Sequence, residues 1–153
     1  MSRKLSIREW YELSQEGNAP PVRITLNGYS MNPLIRGYRD YVTVAGLEGE
    51  LRPGDIVLFV DAANGRYVMH RIWELKDGMA LTWGDNCDEP DGWIRLRAIR
   101  GRIVLIERGK RKIRPDPVKG MRWARFWHKA GKVWRFGERC KNGVIRRIKK
   151  KKV

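Results

Sequence analysis

Residues 56–83 read IVLFVDAANGRYVMHRIWELKDGMALTW and hold three runs rich in β-branched, aromatic and other apolar residues. Asn64-Gly65 and Asp77-Gly78 separate these runs, and such dipeptides form tight turns between antiparallel strands. The segment therefore predicts three consecutive strands at Ile56–Val60, Tyr67–Leu75 and Met79–Trp83.

Further strand-like runs lie on both sides of this segment, at Val22–Leu26, Tyr41–Val44 and Arg102–Glu107. A Ser-x-x-Glu capping pattern at Ser6 and Glu9 predicts a short N-terminal helix, with Gly17 as its stop. We expect a mostly β protein in three parts. These are an N-terminal helix and lead-in over residues 1–20, a compact antiparallel β domain over 21–107, and a basic helical extension over 108–153.

Positive charge is concentrated in the C-terminal extension. Residues 108–153 hold 19 Lys and Arg against two acidic residues, whereas residues 1–107 sum to about −1. The body is thus a nearly neutral domain, and any contact with a membrane or nucleic acid would have to come from the extension. No nucleic-acid-reading motif accompanies the basic residues, so nucleic acid is not the expected partner.

Cysteine usage and hydropathy bound the compartment. Cys87 and Cys140 lie far apart without metal-ligand spacing, and two thiols make no secreted-type disulfide framework. We expect neither a signal peptide nor a spanning helix. The expected location is the cytoplasm, with at most a peripheral contact on the inner membrane face, and no metal or cofactor is expected. The sequence predicts no oligomeric state.

Three segments carry candidate catalytic side chains. Gly28-Tyr29-Ser30 begins a turn that can present the Ser30 hydroxyl to solvent, although most such serines only shape turns. A hydroxyl becomes nucleophilic when a base removes its proton, and His70 is the body's histidine. Residues 85–91 hold four acidic side chains after a strand, where one could orient the imidazole. The same loop also fits a solvated turn or a cation site.

In this order the segments resemble the sequence boxes of type I signal peptidases. The boxes are Ser30-Met31-x-Pro33, Pro53-Gly54-Asp55-Ile56-Val57, His70-Arg71-Ile72 and Thr82-x-Gly84-Asp85-Asn86, followed by Asp91. The chain is most similar to the Ser-His-Asp branch, found in the endoplasmic-reticulum enzyme and in archaeal and some bacterial relatives. His70 stands where LexA-type repressors and bacterial signal peptidases have lysine. The resemblance covers about residues 22–107 and implies the β fold of that superfamily.

The resemblance implies a serine endopeptidase in which Ser30 attacks the scissile carbonyl and His70 takes its proton. Asp91 is the preferred orienting acid, because it follows Asp85 by six residues, as in the His-type enzymes. Asp85 would then be structural or assisting. The Ser30 backbone N–H would hold the oxyanion. Further substrate and oxyanion contacts would come from Gly28, Tyr29 and Met31.

The expected substrate is a precursor protein or leader peptide processed in the cytoplasm, because the spanning segments of conventional signal peptidases are missing from the sequence. Self-cleavage of the repressor type is not expected, since about 29 residues precede Ser30. The competing hypothesis is a catalytically inactive, peptidase-like binding module that uses its basic extension on membrane or nucleic acid. The intact set of Ser30, His70 and Asp91 argues against that loss of activity.

A helix is predicted from about Lys119 to Phe136. Aromatic residues recur in it at helical spacing, and basic residues fill much of the remainder. Two interpretations stay open: the helix lies in an anionic membrane interface, or its aromatic stripe packs on the β domain. The candidate membrane- or anion-binding residues are Arg122, Trp123, Arg125, Trp127 and Lys129.

Overall fold

The computed structural model describes residues 7–15 and 19–131. These residues form an N-terminal helix, α1 (Ile7–Gln15), eight strands and a short 3₁₀ turn at Leu96–Ala98. A second helix, α2, covers residues 117–131. The strands are β1 Val22–Thr25, β2 Tyr41–Ala45, β3 Ile56–Val60, β4 Tyr67–Lys76, β5 Met79–Trp83, β6 Gly92–Arg95, β7 Ile99–Arg108 and β8 Arg111–Ile113. The predicted mostly β architecture, with one helix before the sheet and one after it, is confirmed.

All eight strands belong to one antiparallel sheet, in the order β1-β2-β7-β3-β4-β5-β6, with β8 pairing with β7. The three strands predicted from residues 56–83 are consecutive neighbours in it. Register shifts interrupt the β2–β7, β3–β7 and β4–β5 pairings, and such bulges bend strands. β1 and β4 line one common cleft although three strands separate them in the sheet order. The sheet is therefore strongly coiled.

β3 is the central strand of the core, because apolar side chains cover both of its faces. Ile56 and Leu58 belong to one buried cluster, together with Trp10 of α1, while Val57 and Phe59 belong to a second cluster. Successive side chains of a strand point to opposite faces, so the continuous apolar run of β3 serves both clusters. Each such side chain contributes about 1.5–3 kcal/mol of stability when fully buried.

Two strands were not predicted. β6 has four residues, and none of them is fully buried, so the run is too short to give a recognisable alternation. β8 lies in the segment assigned to the C-terminal extension, where Gly109 adopts a left-handed conformation (φ 57°) and turns the chain back onto β7. The predicted capping residues Ser6 and Gly17 and residues 132–136 of the predicted helix lie outside the described residues.

Helix α2 packs on the sheet through a face made of Met121, Ala124 and His128, all at most 7% exposed. The Asp116 carboxylate accepts a hydrogen bond from the Lys119 backbone N–H at 2.9 Å, which caps the first turn. The His128 ring lies on Trp83 of β5, with ring centroids 4.2 Å apart. None of the described helices is long and apolar enough to cross a bilayer.

Candidate active site

Ser30 lies in a closed loop between β1 and β2. The loop folds back on itself where Gly37 meets Gly28: a Cβ at position 37 would overlap the Gly28 carbonyl oxygen, so only glycine permits this approach. The Tyr38 backbone N–H donates to the Leu26 carbonyl at 2.8 Å and closes the base of the loop. Ser30 is partly buried and lies in a loop whose shape these two contacts fix.

The far end of this loop is anchored by a buried ion pair. Asp40 is 1% exposed and receives two hydrogen bonds from the Arg108 guanidinium, at 3.0 Å from Nε and 2.6 Å from the terminal nitrogen. Arg108 also donates to the Leu34 carbonyl at 2.9 Å. Burial opposes ionisation of Asp40, but the Arg108 and Arg36 hydrogen bonds outweigh burial and lower its pKa. The charged pair ties the end of β7 to the serine loop.

His70 is on β4 and is held by Asp91. Its Nδ1 lies 2.6 Å from Asp91 Oδ2, and the Thr82 hydroxyl donates to the same oxygen at 2.9 Å. The His70 side chain is 9% exposed and the Asp91 side chain 26%. A carboxylate on Nδ1 places the proton on that nitrogen and leaves Nε2 as the basic atom of the neutral ring.

The environment stabilises the charged form of His70. Burial favours the neutral ring and lowers the pKa, but hydrogen bonds and charge interactions with Asp91 and Cys87 outweigh it and raise the pKa of His70 from 6.5 to about 9. At neutral pH most rings therefore carry a proton. The fraction able to act as a base grows as the pH rises toward 9.

Gly84 creates the space in which the His70 ring meets its neighbours. A Cβ at position 84 would lie 2.6 Å from Cys87 Sγ, and 2.9 Å from both His70 Nε2 and the Ser30 carbonyl oxygen. The His70 imidazole, the Cys87 thiol and the backbone of the candidate nucleophile thus converge on one glycine. A side chain at this position would displace at least one of them.

The loop after β5 braces the serine loop directly. The Asn86 backbone N–H donates to the Ser30 carbonyl at 2.7 Å, and the Asn86 side-chain amide donates to the Tyr29 carbonyl at 3.1 Å. The Asp91 backbone N–H donates to the Thr82 carbonyl at 2.9 Å where the loop returns to the sheet. One short segment therefore holds both the Ser30 backbone and the carboxylate that contacts His70.

Asp85 does not contact His70 and instead forms a bidentate pair with Arg71. Arg71 Nε lies 2.8 Å from Asp85 Oδ1 and a terminal guanidinium nitrogen 2.7 Å from Oδ2, while the third nitrogen donates to the Gly54 carbonyl at 2.8 Å. The two side chains are 1% and 0% exposed. α2 covers this pair, since a Cβ on Gly120 would lie 2.5 Å from the Arg71 guanidinium.

Ser30 and His70 line the same cleft, which has a volume of about 670 Å³. β1 and the loop that follows it form one wall, and residues 66–70 form the other. Within residues 7–15 and 19–131 no hydrogen bond joins Ser30 Oγ to His70, and substrate-free sites commonly have such contacts long. In the same part of the chain the Ser30 backbone N–H has no acceptor.

The other predicted substrate-contact residues lie around the same loop. Gly28 lines the cleft with a φ of 149°, which favours glycine. Met31 also lines the cleft and is 2% exposed, so it belongs to the core beneath the serine. Tyr29 is 61% exposed and packs on Tyr38, with ring centroids 5.5 Å apart. Tyr29 contributes its carbonyl to the Asn86 brace rather than its ring to the cleft.

Sequence reasoning did not assign site roles to Thr82, Gly84, Asn86 and Cys87. The first three belong to the box that follows β5, so their proximity to Ser30 was implied only by the resemblance. Cys87 was interpreted as an isolated thiol, because nothing in its spacing signals contact with a histidine 17 positions earlier. Within the described ranges no group of three or more His, Cys, Asp or Glu side chains is arranged to hold a metal ion.

The basic candidates Arg122, Arg125 and Lys129 lie on the exposed side of α2. Trp123 and Trp127 stack with ring centroids 5.7 Å apart; Trp123 is 38% exposed and Trp127 is half-buried. These five residues are separate from the cleft, since none of them lines it.

A scan against protein-family models and a search of curated proteins both find no match to this chain.

Proposed function

We propose that the protein is a serine endopeptidase in which Ser30 is the nucleophile, His70 the general base and Asp91 the acid that orients His70. One observation carries the proposal: the His70 ring is held on Nδ1 by Asp91 at 2.6 Å while its Nε2 approaches the Ser30 loop in a cleft that both residues line. A buried imidazole with a carboxylate on one nitrogen and a hydroxyl-bearing loop at the other is suited to activate that hydroxyl.

The reaction follows from this arrangement. Ser30 Oγ bonds to the scissile carbonyl carbon as its proton passes to His70 Nε2, and the carbonyl oxygen takes the negative charge. The free Ser30 backbone N–H is the donor available to that oxygen. His70 then gives the proton to the leaving amine as the C–N bond breaks. Water repeats the sequence on the acyl-serine and releases the carboxylic acid product.

The cleft favours an extended peptide as substrate. β1 pairs only with β2, so its other edge is unpaired among the described strands. β4 pairs with β5 from Arg71 onward, which leaves the outer edge of residues 67–70 unpaired as well. Backbone groups on these two edges can bind a peptide strand through main-chain hydrogen bonds on either side. Such binding would bring the peptide's carbonyl to Ser30 at the end of β1.

We propose that the β domain belongs to the LexA and signal-peptidase superfamily, in its Ser-His-Asp branch. The coiled antiparallel sheet, the serine at the end of the first strand and the histidine on a hairpin strand support that assignment. The proposed substrate is a precursor or leader peptide, and the proposed place of action is the cytoplasm or the inner membrane face.

Digestion of a diverse synthetic peptide library tests the activity. Purified protein at pH 9 should generate new peptide termini that mass spectrometry detects, with a consistent residue before each cut. Ser30→Ala should abolish these cuts, and Ser14→Ala, a serine of α1 outside the cleft, should keep them. Cuts that persist in Ser30→Ala would come from a contaminant or another site and would overturn the proposal. A folded wild type that cuts nothing and only retains peptides would favour an inactive binding module.

A further inference from the structure

Helix α2 has two apolar strips, and within residues 7–15 and 19–131 the core uses one of them. Met121, Ala124 and His128 face the sheet. Trp123 and Phe126 lie on nearly the opposite side of the helix, about 160° around it at 100° per residue, and are 38% and 61% exposed. A surface helix of a single domain normally carries one apolar face. Among the described residues the body leaves the second strip of α2 uncovered, so this strip can contact a partner outside the domain.

Two exposed rings, Trp123 and Phe126, and the half-buried ring of Trp127 form a continuous patch. Ring centroids of Trp123 and Phe126 are 6.0 Å apart, and those of Trp123 and Trp127 are 5.7 Å apart and nearly parallel. Single exposed hydrophobic residues are common on protein surfaces, but contiguous apolar patches mark interaction sites. We call Trp123, Phe126 and Trp127 the aromatic ridge.

Basic side chains run beside the aromatic ridge. Arg122, Arg125 and Lys129 are exposed and recur at spacings of three and four residues, which places them on one strip of the helix. Each aromatic residue of the ridge is next in sequence or within one turn of a cation. Tryptophan rings favour the depth of lipid headgroups, and arginine and lysine pair there with phosphate.

We propose that the aromatic ridge and its basic strip dock this protein on lipid bilayers that carry anionic headgroups. Charge favours a bilayer over a second copy of the chain. The extension over residues 108–153 has a net charge of +17, so two copies meeting at α2 would bring like charges together. An anionic surface is complementary to the same charge and attracts each nearby cation.

The docking surface is preformed. Asp116 caps the helix, and Met121, Ala124 and His128 hold its inner face on β4 and β5. An amphipathic peptide that folds only at the membrane loses conformational entropy on binding, whereas α2 is already ordered. The ridge is also fixed relative to the body, because Gly120 packs directly on Arg71.

Vesicle co-sedimentation of the full chain tests the proposal. Vesicles of phosphatidylcholine mixed equally with phosphatidylglycerol should bind the protein, and vesicles of phosphatidylcholine alone should bind it much less. Trp123→Ala/Phe126→Ala should weaken binding by about tenfold or more. Trp93→Ala, which removes a 44% exposed tryptophan from β6, is the matched control and should bind as wild type. Circular dichroism and thermal melting verify that each variant is folded.

A second pair of variants isolates the charges. Arg122→Gln/Arg125→Gln should weaken binding more than Arg111→Gln/Lys112→Gln, which removes two exposed cations from β8. Equal losses in the two double variants, or unchanged binding of Trp123→Ala/Phe126→Ala, would mean that the tail's net charge alone binds and would overturn the proposal. A folded wild type that ignores anionic vesicles would also overturn it. The proposal would also fail if Trp123→Ala/Phe126→Ala lost self-association, measured by light scattering, but kept its vesicle binding.

Discussion

His70 and Arg71 are neighbours on β4, and each is paired with an aspartate from the loop after β5, yet the two pairs differ in almost every physical respect. His70 and Asp91 have side chains 9% and 26% exposed and lie at the cleft. Arg71 and Asp85 are 1% and 0% exposed and lie beneath α2. Alternation along a strand points the two side chains to opposite faces. One strand thus carries the proposed base on one face and a buried ion pair on the other.

Asp91 and Asp85 belong to one loop but have separate roles because their partners differ. Asp91 makes one contact to His70 and one to Thr82, which leaves the pair able to gain and lose a proton. Asp85 makes a two-bond contact with a guanidinium that never loses its charge in practice. A titratable partner near solvent suits catalysis, whereas a permanently charged and fully buried partner suits a fixed scaffold.

Removal of the Asp91 charge should have the greatest effect on activity. Asp91→Asn should lower peptide-cleavage kcat/KM by about 10³- to 10⁴-fold, because the amide no longer stabilises the imidazolium that forms on proton transfer. Circular dichroism should show that the variant is folded at pH 9, where the kinetics are measured. Glu89→Gln, which removes an exposed carboxylate from the same loop, should keep nearly full activity. Equal kinetics in the two variants would remove Asp91 from the mechanism.

The next effect concerns stability at the buried pair. Arg71→Met leaves the Asp85 carboxylate buried without its partner and should lower the free energy of unfolding by about 3–5 kcal/mol, measured by denaturant titration. The double variant Arg71→Met/Asp85→Leu should recover much of this loss, because no unpaired charge then remains. A single variant as stable as wild type would show that Arg71 and Asp85 do not hold the loop to β4.

The smallest effect is a shift in pH dependence. Because the base must be neutral, kcat/KM should rise with pH, reach half of its plateau near pH 9, the pKa of His70, and level off above that pH. Cys87→Ala removes one of the interactions that raise this pKa, so the rise should move to lower pH. Asp91→Asn should move the titration of the ring in the same direction, which NMR of labelled histidine can follow without any activity. A ring that titrates near 6.5 in the wild type would contradict the geometry at Asp91.

Folding stability should also depend on the protonation of His70. It should fall as the pH rises, whereas kcat/KM should increase. The folded-state pKa of His70 lies above its unfolded value of 6.5, so its contribution to stability is fully present below about pH 6.5. That contribution is lost as the pH rises through about 9. The conditions that free the proposed base therefore also weaken the contact that orients it.

Much of the fold was predictable because its signals are local. The apolar run of Ile56–Val60 and the turns at Asn64-Gly65 and Asp77-Gly78 fix three strands from neighbouring residues alone. The choice between Asp85 and Asp91 was of another kind. Both are acids of one loop, and the preference for Asp91 came from the spacing in the resemblance; the pairing of β4 with β5 places Asp91 at His70 and Asp85 at Arg71.

The contacts that sequence reasoning missed are long-range for the same reason. Cys87 reaches His70 only because Gly84 leaves space between them, and a glycine's missing Cβ gives no sign of what will fill its place. The aromatic stripe of α2 also did not predict which side of the helix is buried. The inner face uses the smaller residues Met121 and Ala124 together with His128, so the bulkiest rings remain outside.

Covalent labelling measures directly whether Ser30 is a nucleophile activated by His70. A serine-directed phosphonate probe at pH 9 should add one mass equivalent to the wild type, and peptide mapping should locate the addition at Ser30. Ser30→Ala should not be labelled, and His70→Ala should be labelled far more slowly although it remains folded. Labelling of Ser30 at the same rate in wild type and His70→Ala would contradict the account, because the serine would then react without the base that β4 supplies. No labelling of a folded wild type would contradict it equally.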